Sequence, residues 1–190
     1  MTQANTYGQQ LRRAAFEAVC RGWPVAPGRF GTDSEGFAEM RPLIENRDAA
    51  VTDPDHAWSV WGRQAYGVLL VCGRGIDALE VPFRVIELLP ALADADLVVP
   101  VVTALAPSRW VLLVATASGT LRDELAAASV RLRGKGEWVA LPPTAVSGYP
   151  PLRWRVPPLD DGASALPSAD EVQRVLAEAL SSGTSHADRG

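Results

Sequence analysis

The sequence predicts a single domain of the α/β (α+β) class, on three observations. The chain has 190 residues, one domain's worth. Short apolar runs rich in β-branched residues and bounded by Gly or Pro stand at residues 67–72, 97–103 and 110–116, the pattern of buried strands. Segments of helical periodicity lie between and around these runs, so strands and helices interleave. Hydrophobic residues make up 47% and charged residues 21%, which leaves enough apolar surface for a real core and excludes a disordered chain.

In chain order, residues 1–10 are polar and predict a disordered N-terminus. Leu11, Ala14, Ala15, Ala18 and Val19 then recur at helical spacing, until Gly22 before Trp23-Pro24 stops the helix. Residues 25–51 carry Gly28, Gly31, Gly36 and Pro42 without a sustained period, and predict a long loop with at most a short helix. Asp53-Pro54 opens another helix, a capping carboxylate followed by a ring at the first helical position, with Trp58 and Trp61 expected to pack it down. A helix over 83–93, disturbed by Pro90, separates the first two strands. Thr120 and Asp123 predict a capping box for a helix over 121–128. Residues 130–133 and 138–141 flank Gly134-Lys135-Gly136 and predict a hairpin, which Pro142-Pro143 ends. A short strand over 153–156 precedes a linker at 159–167. Ser168 with Glu171 then caps a last helix over 168–180, before a disordered tail at 181–190.

Charge and cysteine content exclude several functions. Eighteen basic and 22 acidic residues give a net charge of −4, the reverse of the footprint left by a protein that grips duplex DNA through its phosphates. The balance is uneven, because residues 109–155 hold seven basic and three acidic side chains. No stretch approaches the roughly 18 apolar residues needed to span a bilayer, and no apolar leader is present, so a cytoplasmic protein without membrane contact is expected. Cys20 and Cys72 form no CxxC and no Cys/His cluster, which predicts two buried thiols rather than a disulfide or a zinc site. The histidines, His56 and His186, fall in a helix start and in the tail, so a nucleophile–histidine site is poorly served. Gly73-Arg74-Gly75 reads as a tight turn rather than a phosphate cradle.

Several separated segments share one likeness: Arg21-Gly22-Trp23-Pro24-Val25, Val51-Thr52-Asp53 leading to Trp58 and Trp61, Tyr66-Gly67-Val68, Arg133-Gly134, residues 138–144, Gly148 and Trp154. In order and spacing over residues 11–158 they resemble the prim-pol domain, the N-terminal DNA primase/polymerase module of the archaeo-eukaryotic primase superfamily. That module occurs in replication proteins of phages, plasmids and actinobacteria. The resemblance implies a mixed central sheet flanked by helices, in which a strand pair presents carboxylates to two divalent metals.

Two-metal nucleotidyl transfer needs acids one residue apart on a strand, where the period of two sets both on one face, and a further acid on a neighbouring strand. Matching residues 75–82 to the family's Asp-x-Asp strand sets Glu80 at the first acid and Pro82 at the second. The family's phosphate-holding His falls at Trp110, in Pro107-Ser108-Arg109-Trp110, and its third acid at Arg131. Glu80 and Arg131 are then expected to pair with each other. Asp77, three residues before Glu80, points to the opposite face of a strand and is a weak metal candidate.

The reading that follows is a stand-alone, catalytically degenerate prim-pol-like domain, a pseudoenzyme that needs no cofactor and works by binding. Its partner would be a protein or a single-stranded nucleic acid, met through Arg109, Arg131, Arg133, Lys135, Arg153 and Arg155. Trp138 and Trp154 read as core indoles beside that basic edge, with a stacking platform as the alternative. The competing reading is an active DNA primase/polymerase that holds magnesium or manganese with a rearranged acid set, Asp77 and Glu80 with Asp53 or Asp55. A regulatory or scaffold protein without nucleic-acid contact is a third.

Overall fold

A computed structural model describes residues 3–32, 38–44, 49–103, 109–116, 120–145, 150–159 and 166–187. Gly148 and the Pro107-Ser108 turn lie outside the described residues, as do positions 160–165 of the expected linker and 188–190 of the expected tail.

The elements are α1 (Gln3–Cys20), β1 (Val25–Thr32), β2 (Ala38–Pro42), α2 (Pro54–Arg63), β3 (Gly67–Val71), β4 (Ile76–Pro82), α3 (Phe83–Ile86), α4 (Pro90–Asp94), β5 (Val101–Thr103), β6 (Arg109–Ala115), α5 (Asp123–Ala127), β7 (Arg131–Arg133), β8 (Trp138–Ala140), β9 (Trp154–Val156) and α6 (Ala169–Ala187). The α/β class and the three apolar strands are as the sequence predicts. The sheet is not one mixed layer: a four-stranded sheet ordered β2-β1-β3-β8 lies beside a five-stranded sheet ordered β7-β4-β6-β5-β9. Every ladder between these strands is antiparallel.

The chain passes from one sheet to the other between β3 and β4, between β7 and β8 and again between β8 and β9, and the first two of these crossings lie side by side. Residues 72–75 lead from β3 to β4, and residues 134–137 lead from β7 to β8. The Cys72 N–H donates to the Glu137 carbonyl at 3.0 Å, tying one crossing to the other. The expected β7–β8 hairpin is therefore corrected: β7 pairs with β4 and β8 with β3. A glycine turn is compatible with either outcome, and here the ladder bonds go to strands that already belong to different sheets.

One core joins both sheets to α1 and α2, through Val68 and Leu70 of β3, Ala78 of β4, Leu113 of β6 and Trp61 of α2. The other face of the five-stranded sheet, with Leu79, Val81, Leu112 and Val114, packs on α6 and Leu125 of α5. Ala26, Met40, Leu69 and Val71 form a smaller cluster on the outer face of the four-stranded sheet.

Other expectations are corrected. Residues 25–51 are not a loop but contain the β1–β2 hairpin, in which Gly28 serves packing: a Cβ there would come within 2.7 Å of Leu69. Residues 3–10 are helical rather than disordered; Tyr7 packs on the shared core and its hydroxyl donates to the Pro143 carbonyl at 3.2 Å. Helix α6 likewise runs past Leu180 to Ala187, with the Ser181 hydroxyl bonded to the Ala177 carbonyl at 3.0 Å. The capping box at Thr120 does not form; α5 begins after Arg122, whose N–H is taken by the Gln173 side chain at 2.9 Å. Asp53 does cap α2, accepting from the His56 N–H at 2.7 Å. Of its two indoles only Trp61 is in the core, while Trp58 is 44% exposed with the Arg12 guanidinium 3.8 Å above its ring. Cys72 is buried as expected, but Cys20 is exposed at the end of α1. Among the described residues no helix is long and apolar enough to cross a membrane.

Candidate functional site

Strand β4 lies between β6 and β7, and its registers fix which side chains share a face. Glu80 stands opposite Val111 on one side and Arg131 on the other; Pro82 stands opposite Arg109, and Ala78 opposite Arg133. Directly opposed residues of an antiparallel ladder point the same way. Glu80, Pro82, Arg109, Arg131 and Arg133 therefore lie on one face, continuing beyond the shared core. Asp77 and Trp110 belong to the other face, where Trp110 packs beside Leu112 and Val114. Of the four positions that the resemblance sets at the family's catalytic residues, the fold brings Glu80, Pro82 and Arg131 together and sends Trp110 away.

The expected ion pair between Glu80 and Arg131 is corrected. Glu80 Oε2 lies 3.1 Å from the Arg133 guanidinium, its diagonal neighbour, and Arg131 is exposed directly across from it. Glu137 decides this, because its carboxylate holds Arg133 at 2.7 Å and accepts the Gly134 N–H at 3.1 Å, aiming the guanidinium back along the strand. Burial opposes the charge on Arg133, but hydrogen bonds to Glu80 and Glu137 outweigh it and raise its pKa. Sequence reasoning missed Glu137; the one available signal was its spacing of four from Arg133 around a glycine turn. Arg109 reaches past the position of Pro82 to the Ser129 carbonyl, 3.2 Å away.

The other acids are occupied elsewhere. Asp77 is buried, not a solvated surface charge, and its Oδ1 accepts the Gly73 N–H at 2.8 Å, closing the turn between the sheets. Asp53 caps α2, and Asp55 is exposed in that helix's first turn. Among the described residues no three His, Cys, Asp or Glu side chains gather in a way that holds a metal ion. The donor set around Glu80, two carboxylates that Arg133 already holds with a proline and the guanidinium groups of Arg109 and Arg131 beside them, does not fit two magnesium or manganese ions.

Nor does the fold gather the basic residues into one surface. Arg131 and Arg133 are on β7 and Arg153 and Arg155 flank or lie in β9, the two opposite edges of the sheet, four strand spacings or roughly 19 Å apart. Lys135 is exposed in the crossing turn. Trp138 belongs to the other sheet, its indole N–H bonded to the Met40 carbonyl at 3.0 Å, whereas Trp154 packs against the shared core.

Among the curated proteins none matches the chain. The family described as "Bifunctional DNA primase/polymerase, N-terminal" matches residues 15–170, a span that takes in all of β1 to β9 and the start of α6. The strand pair that presents Glu80 thus lies inside a domain matched over most of its length, and the chain belongs to the Prim-Pol family.

Proposed function

We propose that this Prim-Pol domain is catalytically degenerate and acts by binding, with single-stranded nucleic acid as its ligand and no metal cofactor. The observation that carries this reading is the charge on the Glu80 face. Arg131 stands across from the one carboxylate, that carboxylate is already held by Arg133, and Arg109 spans the place of Pro82. At ~4 Å and an effective dielectric near 20, one guanidinium repels a divalent cation by roughly 8 kcal/mol and attracts a phosphate charge by roughly 4 kcal/mol. The same position therefore favours a phosphate over the metal that polymerisation requires. The acidic net charge of −4 fits a local, modest grip rather than avid nonspecific binding.

Two measurements test it. With magnesium or manganese, a primed template and nucleoside triphosphates, no extension above background is expected; extension that Glu80→Ala abolishes would overturn the reading. A labelled single-stranded oligonucleotide should bind with an affinity that falls as salt rises, and Arg131→Glu should weaken it about tenfold. Absence of binding at both low and moderate salt transfers the assignment to a protein partner.

A further inference from the structure

A cavity of about 240 Å³ opens between the last turns of α1, the turn at Pro142 and the exit of β9, at the opposite edge of the sheet face that carries Glu80: Trp154 stands across from Val102, Val102 across from Val111 and Val111 across from Glu80. Trp23 and Trp154 contribute indoles to its lining, Pro142 and Pro157 contribute rings, and Glu17 and Arg21 supply the charge. It is smaller than the ~300 Å³ at which pockets begin to take drug-sized ligands, so it suits one planar ring and not a whole nucleotide. We propose that this cavity takes a single unstacked base of a single-stranded nucleic acid, while Arg153 and Arg155 meet the phosphates outside it.

The walls are set before any ligand arrives. The Arg21 guanidinium donates to the Glu17 carbonyl at 3.1 Å and stands 6.0 Å from the centre of the Trp23 ring. The Trp23 N–H closes α1 on the Ala18 carbonyl at 3.0 Å. On the opposite wall, Tyr7 fixes the segment after Pro142 by donating to the Pro143 carbonyl and accepting the Ala145 N–H at 2.9 Å. A preformed slot of aromatic and proline faces stacks any base without the cost of ordering itself.

Charge selects the ligand. The Glu17 carboxylate is already paired with Arg13 at 2.6 Å. Arg153 and Arg155 are exposed on either side of Trp154 at a sheet edge, where the β5–β9 register shifts and leaves Arg155 as the extra residue between Trp154 and Val156. The surroundings are thus cationic in an acidic protein, which fits a polyanion. A proline-rich peptide also suits tryptophan and proline walls, but has no charge to answer these arginines. The choice of ligand rests on the binding function proposed above; the location does not.

The test uses the whole chain. A single-stranded oligonucleotide carrying 5-iodouracil, irradiated with the wild-type protein, should crosslink to peptides containing Trp154 or Trp23. In anisotropy titrations Trp154→Ala should weaken oligonucleotide binding about tenfold, Trp154→Phe should restore most of it, and Arg153→Glu with Arg155→Glu should lower both affinity and salt slope. If the alanine variant fails to fold, the phenylalanine and arginine variants and the crosslink decide. Crosslinks confined to residues 131–137, with these variants binding as wild type does, would overturn the inference and leave the proposed function standing. Absence of any oligonucleotide binding would overturn both, and a proline-rich peptide that binds in a Trp154-dependent way while oligonucleotide binding ignores Trp154 would overturn this one.

Discussion

The two thiols separate at the level of single residues. Burial and the nearby negative charges of Asp77 and Glu137 push the Cys72 thiol up to about 12, whereas Cys20 is open to solvent. Native protein at pH 8 should therefore release one equivalent in an Ellman assay, from Cys20, and two in denaturant; two in the native state would contradict the buried position. The same shift gives a stability term whose sign is fixed. Folded Cys72 keeps its proton while the unfolded thiol ionises near 9, so the contribution is full below about pH 9 and is lost as pH rises towards about 12. Urea midpoints should fall over that window, and Cys72→Ala should flatten the part of the fall due to the thiol. The sequence showed this residue to be outside any CxxC, but its depth came from the crossing of two chain segments. Glu80, Pro82 and Arg131 were singled out only through the resemblance to the family's motifs, and strand periodicity, which is local, then set Glu80 and Pro82 on one face. The true partner of Glu80 was not, since Glu137 had first to hold Arg133 in place.

At the level of elements, the place where the chain changes sheets is the most constrained backbone. Gly73 and Gly75 both have positive φ, +88° and +85°, a region that costs other residues roughly 1–2 kcal/mol. They differ in surroundings: a Cβ at Gly73 would overlap the Lys135 backbone of the second crossing, and a Cβ at Gly75 would meet nothing within 4 Å. Gly75→Ala should cost about 1 kcal/mol and Gly73→Ala about 3 kcal/mol or more, measured by urea unfolding. Equal effects would show that the two crossings are not packed on each other. Here sequence reasoning found both glycine turns and mistook what the second of them joins. A turn's residues report its local φ, whereas the strand that each flank pairs with depends on the rest of the sheet. The β1–β2 hairpin escaped notice for a related reason: its glycines and prolines read as a loop, although the fold uses Gly28 to admit Leu69.

Across the whole molecule the two sheets share one core, with Val68 and Leu70 from one and Ala78 and Leu113 from the other. Unfolding should accordingly be a single transition, with far-ultraviolet circular dichroism and tryptophan fluorescence coincident in urea. Leu113→Ala should shift both probes together by about 2–5 kcal/mol; two resolved transitions would mean that the sheets fold separately. The same packing explains which functional residues were visible. Arg131 and Arg155 look like neighbours in a basic stretch, yet β7 and β9 are opposite edges of the sheet, and the stretch becomes two surfaces. By itself the sequence determined the α/β class, the apolar strands and the cap at Asp53, because periodicity and capping act over a few neighbouring residues. The tertiary structure alone decided the division into two antiparallel sheets, the pairing of Glu80 with Arg133 and the cavity beside Trp154, because these rest on contacts between segments distant in the chain.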